Sequence, residues 1–250
     1  IDVTGSLIAA ESRPSSTSPV PLRPLGRSGV RVSMLGLGGA HFIRRSEVEG
    51  VRIVHEAIES GVTFFDNAWE YNDHRSEAVM GKALKGKRDR VFLMTKVCTH
   101  GRGKAVAIRQ LDQSLRRLGT DYLDLWQIPE VNWRDDHEVL FAPSGAAEAL
   151  LEAKQQGKVR FIGFTGHKDP RVHAKVLERQ FPFDTCQLPL NVFDASFEGF
   201  ERLVLPELVR QGIAPIAMKT LCGNGAPVKE RVVSAEEALR YVWSLPVATL

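Results

Sequence analysis

The chain of 250 residues is long enough to bury one sizeable core, and its proportions of hydrophobic (43%) and charged (25%) residues are typical of a globular protein. Its formal net charge of +3 is small, so the charge balance favours neither a nucleic-acid partner nor binding to a membrane surface. No apolar run approaches the roughly 20 residues that a membrane-spanning helix needs, so we expect no membrane segment.

The N-terminal residues 1–21 are rich in Ser, Thr and Pro and show no apolar periodicity. This composition predicts a disordered tail, because such a segment has too little apolar surface to bury. The sequence does not begin with Met, and residues 7–10 form a short apolar run. A remnant of an export signal is therefore an alternative interpretation of this segment.

The cysteines and histidines form no pattern typical of a disulfide framework or a metal site. The three cysteines, Cys98, Cys186 and Cys222, are odd in number and far apart, which favours a reducing compartment. None of the seven histidines forms a pair with helical ligand spacing beside a third ligand, so we expect no metal. The expected location is cytoplasmic, with an exported form as the alternative.

Regular structure is predicted to begin directly after the tail. Two short apolar segments, Leu22–Leu25 and Val30–Val32, lie on either side of a glycine-containing turn, and this pattern indicates a small β-hairpin. The segment Met34–Gly38 is predicted to form the next strand. A helical pattern then runs from about Ser46 to Ser60.

The remainder of the chain alternates strands with amphipathic helices. Six more strands are predicted near Thr63, Phe92, Leu123, Phe161, Cys186 and Ile216. Four helical patterns are followed by glycines that suit a left-handed helix end, namely Gly61, Gly119, Gly157 and Gly212. Strands that are apolar on both sides indicate a parallel sheet covered by helices. This α/β pattern fits a (β/α)8 barrel or a doubly wound sheet.

The end of the sequence predicts an incomplete eighth unit. Ala235–Leu245 is the predicted seventh helix, and Val247–Leu250 is the predicted beginning of strand 8. An incomplete unit would leave unpaired edges on the first and seventh strands of a barrel. We therefore expect the barrel domain, residues 22–250, to lack its C-terminal part and the native chain to continue past Leu250.

The stretch Gly61–Tyr71 combines a buried strand with a potential proton donor. Asp66 follows a β-branched and aromatic run, and a carboxylate in such surroundings needs a partner. Lys96, at the end of the next predicted strand, is the candidate partner, and Tyr71 follows Asp66 by five residues. An ammonium beside a phenol lowers the phenol pKa from about 10. The cluster is thus a candidate general acid, with a structural ion pair beside a surface Tyr as the alternative.

Several blocks of this sequence resemble the aldo-keto reductase superfamily. D-N-A-x-x-Y at residues 66–71, followed by Lys96, is similar to the family motif D-T-A-x-x-Y and its lysine after strand 3. The resemblance runs from about Leu22 to the last residue. It includes LGLGG (35–39), DYLDLWQI (121–128), GKVRFIGFTGH (157–167) and Q-x-x-x-N (187–191). It implies a (β/α)8 TIM barrel whose active residues lie at the carboxyl ends of the strands.

The resemblance also implies an activity and a cofactor. It implies an oxidoreductase that transfers hydride from NADPH to an aldehyde or ketone, with Tyr71 as the proton donor supported by Lys96 and Asp66. The cofactor-binding positions that it implies are Gly39, Ala40, Asp66, Thr165, Gly166, Gln187, Met218, Lys219 and Leu221. NADH remains possible, because the residues that hold the 2′-phosphate in the family would lie past Leu250. Loops at the barrel mouth set the identity of the small carbonyl substrate, and such loops vary freely.

Four positions qualify these implications. Gly166 stands where relatives often have Asn, so one contact to the nicotinamide carboxamide is lost. Met218 would pack on the nicotinamide in place of an aromatic ring, or would serve as ordinary core filling. Trp69 and Trp133 are predicted at the mouth, either as apolar walls for the substrate or as exposed side chains.

Pro129 departs from the family pattern at the end of strand 4. Relatives have a His after the block L-D-L-x-x-I, whereas here Leu123–Ile128 is followed by Pro129, which has no side-chain donor and no backbone N–H. A one-residue bulge could turn Glu130 into the site instead. The alternative is an impaired reductase. A second class of function therefore stays open, namely a cofactor-binding barrel with little turnover that acts as a redox sensor or interaction subunit.

Overall fold

The computed structural model describes residues 20–98, 103–196 and 199–250. The predicted disordered tail lies outside the described residues, except for Val20 and Pro21. The backbone N–H of Met34 donates a hydrogen bond to the carbonyl of Pro21 at 2.8 Å. Pro21 is therefore hydrogen-bonded to the rest of the described fold.

The predicted N-terminal hairpin is confirmed. Strands β1 (Leu22–Pro24) and β2 (Arg31–Ser33) pair in antiparallel register. Gly26 in the turn has φ +52°, and a Cβ there would lie 2.8 Å from the carbonyl oxygen of Gly212. Only glycine fits this approach, which lets the turn close against the end of the main sheet.

The main sheet is parallel and runs in chain order, as predicted. Its seven strands are β3 (Gly36–Gly38), β4 (Phe64–Asp66), β5 (Phe92–Lys96), β6 (Leu123–Ile128), β7 (Val159–Thr165), β8 (Thr185–Pro189) and β9 (Ala214–Met218). The helices are α1 (Glu47–Glu59), α2 (Arg75–Leu84), α3 (Lys104–Leu118), α4 (Asp136–Val139), α5 (Ala146–Gln155), α6 (Pro170–Glu178), α7 (Phe200–Leu203), α8 (Leu205–Gln211), α9 (Ala226–Lys229) and α10 (Ala235–Ser244). Among the described residues, no helix is long and apolar enough to cross a membrane.

The local signals that end the helices are also as predicted. Gly61, Gly119, Gly157 and Gly212 all have φ between +64° and +84°, the left-handed conformation expected after a helix. The Ser46 hydroxyl caps α1 by accepting a hydrogen bond from the backbone N–H of Glu49 at 3.1 Å. The sequence therefore encodes the turn from each of these helices into the next strand.

The prediction of unpaired sheet edges is wrong. The segment Val247–Leu250 lies between β3 and β9 and forms backbone hydrogen bonds to both sides, which closes the ring. The four bonds, 2.7 to 3.2 Å long, join Leu250 to Met34, Gly36 to Leu250, Ala217 to Thr249, and Ala248 to Pro215. Four residues are thus enough to occupy the eighth strand position.

Two apolar clusters follow from the alternation of side chains along the strands. One lies between the strands and the surrounding helices. The other fills the barrel interior and includes hairpin residues that plug its floor; its buried members are Leu25, Val32, Phe64, Phe92, Met94, Leu125, Ala214, Ile216 and Ala248. Inward-facing positions above this second cluster are polar, and they lie at the carboxyl ends of the strands.

Candidate active site

A cleft of about 340 Å³ opens at the carboxyl ends of the strands. It brings together nine of the predicted site residues: Gly39, Ala40, Asp66, Tyr71, Lys96, Thr165, Gln187, Met218 and Lys219. Two predicted cofactor residues, Gly166 and Leu221, do not line it. Parallel strands end at one edge of the sheet, so residues far apart in sequence meet here.

Asp66 and Lys96 form a buried ion pair at the ends of β4 and β5. The Lys96 ammonium donates to Oδ1 of Asp66 and, at 2.9 Å, to the carbonyl of Asn67. Gln187 Nε2 donates to Oδ2 of Asp66 at 2.8 Å, so both carboxylate oxygens are engaged. Burial lowers the pKa of Lys96, but Asp66 and Tyr71 raise it by more, so the net pKa lies above its ordinary value. The lysine is therefore a fixed cation.

Tyr71 lies directly over this cation. The Lys96 Nζ atom is 5.2 Å from the centroid of the Tyr71 ring. The backbone N–H of Tyr71 donates to the carbonyl of Ala68 at 3.1 Å, which anchors the loop. The arrangement is thus a phenol, an ammonium and a carboxylate in series.

The predicted lowering of the Tyr71 pKa is wrong in sign. The charge of Lys96 lowers the pKa of this phenol. Burial together with the negative charges of Asp66 and Glu70 raises the pKa by more, so the net pKa lies above its usual value of 10.0. Because Lys96 is already paired with Asp66, the two charges largely cancel at the phenol. Tyr71 therefore holds its proton at neutral pH.

Gln187 on β8 and Thr165 on β7 line the wall of the cleft that faces Tyr71. Gln187 Oε1 is buried and has no hydrogen-bond partner within the described residues, so it can accept a bond from a ligand N–H₂ group. Met218 is half-buried at the end of β9 and also lines the cleft. An amide acceptor beside an apolar thioether fits a nicotinamide ring with its carboxamide.

Gly39 forms the opposite wall. A Cβ at this position would lie 2.6 Å from the carbonyl oxygen of Asp66 and 2.9 Å from Oδ1 of Asn67. The backbone after β3 therefore packs directly on the residue that holds Lys96. Only a glycine permits this approach, and Gly39 and Ala40 both line the cleft.

Gly166 is displaced from the cleft by the loop after β6. A Cβ on Gly166 would overlap the carbonyl oxygen of Val131 and lie 2.6 Å from Cε1 of His173. The backbone N–H of Val131 also donates to the carbonyl of Thr165 at 2.8 Å, which fixes the approach. This position therefore has no room for a side chain, and the predicted loss of a carboxamide contact at Gly166 stays a prediction.

Pro129 and Glu130 both line the cleft. Glu130 has φ +48°, a left-handed conformation that is uncommon for a non-glycine residue, and this turn directs its side chain inward. Its Oε1 lies 3.8 Å from Nε2 of His167, which also lines the cleft. Burial, followed by the charge of Lys219, lowers the pKa of His167, so this imidazole is neutral at pH 7.

Three polar residues that line the cleft were not anticipated from the sequence: His41, Glu70 and His167. Each follows a strand within a few residues, which is the only sequence signal that marks them. Glu70 accepts a hydrogen bond from the Cys98 thiol at 3.4 Å. This carboxylate is therefore held between the β4 and β5 ends.

Neither tryptophan lines the cleft, so the structure favours the exposed-side-chain alternative for Trp133. Trp69 turns away from the cleft, and its Nε1–H donates to Oε1 of Gln113 at 2.8 Å. Trp133 is 60% exposed, with the Lys168 ammonium 4.3 Å from its ring centroid. In the part of the chain that the structure describes, no cluster of three or more His, Cys, Asp or Glu residues could hold a metal ion.

The match to a family profile assigns this barrel to a known protein family. The aldo/keto reductase family profile matches residues 34–236. The chain belongs to the aldo/keto reductase family.

Individual relatives support this assignment. The methylglyoxal reductase YeaE of Escherichia coli is 39% identical over 184 residues, which cover 73% of this chain and 60% of that protein. The holo form of aldo-keto reductase AKR11C1 from Bacillus halodurans superposes with a TM-score of 0.75 at 27% identity, covering 92% of this chain and 85% of that one. An aldo/keto reductase from Klebsiella pneumoniae, solved in complex with NADP and acetate, superposes with a TM-score of 0.66 at 27% identity, covering 80% and 68%.

This chain is shorter than these curated relatives. The matched part spans 60% of the length of YeaE and also of the Bacillus subtilis aldo-keto reductase YhdN.

Proposed function

We propose that this chain is an NADPH-dependent reductase of small aldehydes or ketones, with Tyr71 as the proton donor. The observation that carries the proposal is the position of the Tyr71 ring over a lysine whose charge is fixed by Asp66. A protonated phenol on a fixed cation is a general acid aimed at a carbonyl oxygen. The cofactor, when bound, supplies the hydride.

Each group in the cleft has a defined task in this proposal. The Tyr71 hydroxyl binds the carbonyl oxygen and gives up its proton as negative charge develops there. Lys96 stabilises the resulting phenolate, because its ammonium is buried and cannot move away. Asp66 keeps Lys96 charged and in place, and Gln187 holds the second oxygen of Asp66.

The cofactor residues are proposed on fit. The unpaired Oε1 of Gln187 would accept from the nicotinamide carboxamide, and Met218 would pack on the ring. Thr165 would add a hydroxyl beside them, and the backbone at Gly39 and Ala40 would contact the cofactor from the other wall. Lys219 would place a cation near its phosphates. Gly166 and Leu221 are left out of this set, because neither lines the cleft.

A second candidate function rests on Pro129. This residue lines the cleft but has no hydrogen-bond donor. The substrate carbonyl would therefore interact with the Tyr71 hydroxyl but would receive no second hydrogen bond from position 129. The alternative is a barrel that binds NADPH with little turnover and serves as a redox sensor or an interaction subunit. The three cysteines are thiols, which supports a reducing, cytoplasmic setting for either function.

Two measurements on the purified chain distinguish these functions. The first is NADPH oxidation, followed by absorbance, with methylglyoxal, glyceraldehyde and 4-nitrobenzaldehyde as carbonyl substrates. The second is titration with NADPH, followed by quenching of tryptophan fluorescence. Binding together with turnover supports the reductase, and binding without turnover supports the sensor. If NADPH does not bind at all, both proposals are wrong.

A further inference from the structure

The segment that follows Tyr71 is hydrogen-bonded to the neighbouring wall of the cleft, which is the backbone of Gly39 and Ala40. Asn72 Nδ2 donates to the carbonyl of Ala40 at 3.1 Å, and the Ser76 hydroxyl donates to the carbonyl of Gly39 at 2.6 Å. Ser76 is fully buried, whereas Asn72 is exposed. Two side chains thus fix two consecutive carbonyls of the cleft wall.

The backbone between these two side chains is unusual. Asn72, Asp73 and His74 have φ of 54°, 52° and 70°, so three consecutive non-glycine residues are left-handed. Such a turn costs energy and persists only where the surroundings hold it. The ring of His74 makes one such contact, because its Nδ1 lies 2.5 Å from the carbonyl of Trp69. The turn leads the chain from Tyr71 to the buried Ser76 at the start of α2.

The wall that these bonds hold is not fixed by the sheet itself. The β3 strand ends at Gly38, so the backbone of Gly39 and Ala40 has left the sheet ladder. Gly39 also approaches Asp66 so closely that no side chain fits between them. Small shifts of this wall therefore change the space beside the Asp66–Lys96 pair.

We propose that Ser76 and Asn72 are positioning residues that hold the Gly39–Ala40 backbone in the conformation that receives the cofactor. This inference rests on the proposed function, since it assigns the wall to NADPH. A wall that is already fixed loses little conformational freedom when a ligand binds, so affinity is retained. Removing either hydrogen bond frees a carbonyl that must be ordered again on binding.

The main test compares two buried serines on neighbouring helices. Ser76→Ala removes the bond to Gly39, and Ser114→Ala on α3 is the matched control, because the Ser114 hydroxyl is buried without a hydrogen-bond partner in the described part of the chain. Titration of each full chain with NADPH should show affinity about tenfold weaker for Ser76→Ala and unchanged for Ser114→Ala. Turnover at saturating NADPH should stay within about twofold, since Tyr71 and Lys96 keep their contact.

A second pair of variants keeps the test valid if Ser76→Ala does not fold. Asn72→Gly and Asp73→Gly both retain a left-handed backbone at almost the same φ, but only Asn72→Gly removes the bond to Ala40. We expect affinity for NADPH about threefold weaker for Asn72→Gly than for Asp73→Gly, because this bond is exposed to water.

The outcomes separate this inference from the proposed function. If the unmodified chain binds NADPH and both variants match their controls, the positioning role is wrong and the reductase proposal stands. If Ser76→Ala lowers turnover at saturating NADPH while affinity is unchanged, the hydrogen bond positions Tyr71 rather than the cofactor wall, and the inference is again wrong. If the unmodified chain has no affinity for NADPH, both are overturned.

Discussion

The Lys96 ammonium lies 5.2 Å from the centre of the Tyr71 ring while it is hydrogen-bonded to Asp66. This contact brings residues from the ends of two adjacent strands together, but it does not by itself set the protonation of the phenol. The charge of Lys96 lowers the pKa of Tyr71, whereas burial together with the negative charges of Asp66 and Glu70 raises it by more, so the net pKa lies above its usual value.

Loss of the Tyr71 hydroxyl should separate chemistry from binding. We expect Tyr71→Phe to lower turnover about 100-fold or more and to leave NADPH affinity nearly unchanged, because the ring is retained and only the proton is lost. The matched control is Tyr122→Phe, whose ring lies under Arg88 before β6 and outside the cleft. NADPH oxidation and fluorescence titration measure the two effects. Wild-type turnover in Tyr71→Phe would remove this residue from the mechanism.

The pH dependence of reduction follows from the direction of the Tyr71 pKa shift. A phenol whose pKa is raised keeps its proton to higher pH, so kcat/KM for carbonyl reduction should stay level from pH 7 to about 10 and fall only above that. The His167 pKa is lowered, so protonation of His167 adds no inflection above about pH 6.5. Alcohol oxidation needs the phenolate and should rise with pH over the same range. An inflection that Tyr71→Phe abolishes, centred below about pH 10, would contradict the direction of the shift.

The positions of the main site residues could be predicted from sequence because they depend on strand ends. Asp66 and Lys96 each close an apolar strand, Gln187 lies in the middle of another, and parallel strands of one sheet end at the same edge. The contacts of Gly166 and Glu130 could not be predicted in this way. The carbonyl oxygen of Val131 limits the space at Gly166, and a left-handed φ sets the direction of the Glu130 side chain. Neither feature leaves a pattern in the sequence.

The direction of the Tyr71 pKa shift and the closure of the sheet edges also could not be predicted from the sequence. The Tyr71 pKa is set by a balance between Lys96, burial and two carboxylates, and spacing gives only the identity of these groups. Closure of the ring by Val247–Leu250 depends on hydrogen bonds to β3 and β9, which are more than 200 and about 30 residues away. Sequence periodicity describes local structure and does not measure such distances.

Arg23 should contribute strongly to the stability of the fold, because it bonds the chain that leads from α10 into the eighth strand position. Its half-buried guanidinium donates three hydrogen bonds, at 2.7 to 3.3 Å. The acceptors are the carbonyl of Trp243 in the last turn of α10 and the carbonyls of Leu245 and Val247 just after it. Carbonyls at the end of a helix lack intrahelical partners. We expect Arg23→Gln to lower the free energy of unfolding by about 2 kcal/mol, measured by urea denaturation.

The matched control for Arg23 is Arg27 in the same hairpin. Arg27 is exposed and donates one bond, to the carbonyl of Gln211 at 3.1 Å, so Arg27→Gln should change the free energy of unfolding by less than about 0.5 kcal/mol. Equal losses in the two variants would show that the hairpin as a whole, rather than the Arg23 bonds, stabilises the last strand position.

The last prediction concerns Pro129 and Glu130, which share one side of the cleft. Pro129 offers no donor to a carbonyl oxygen, so we expect low reductase activity, and Pro129→His should raise turnover about tenfold or more by adding one acid–base group. Glu130 is the competing group, because its left-handed backbone directs its carboxylate inward, toward His167. If Pro129→His leaves turnover unchanged and Glu130→Gln abolishes it, the carboxylate has taken over the role. Glu138→Gln, on α4 with a side chain 70% exposed, is the control for loss of charge alone. If neither Pro129→His nor Glu130→Gln changes turnover, the loop after β6 has no part in the chemistry.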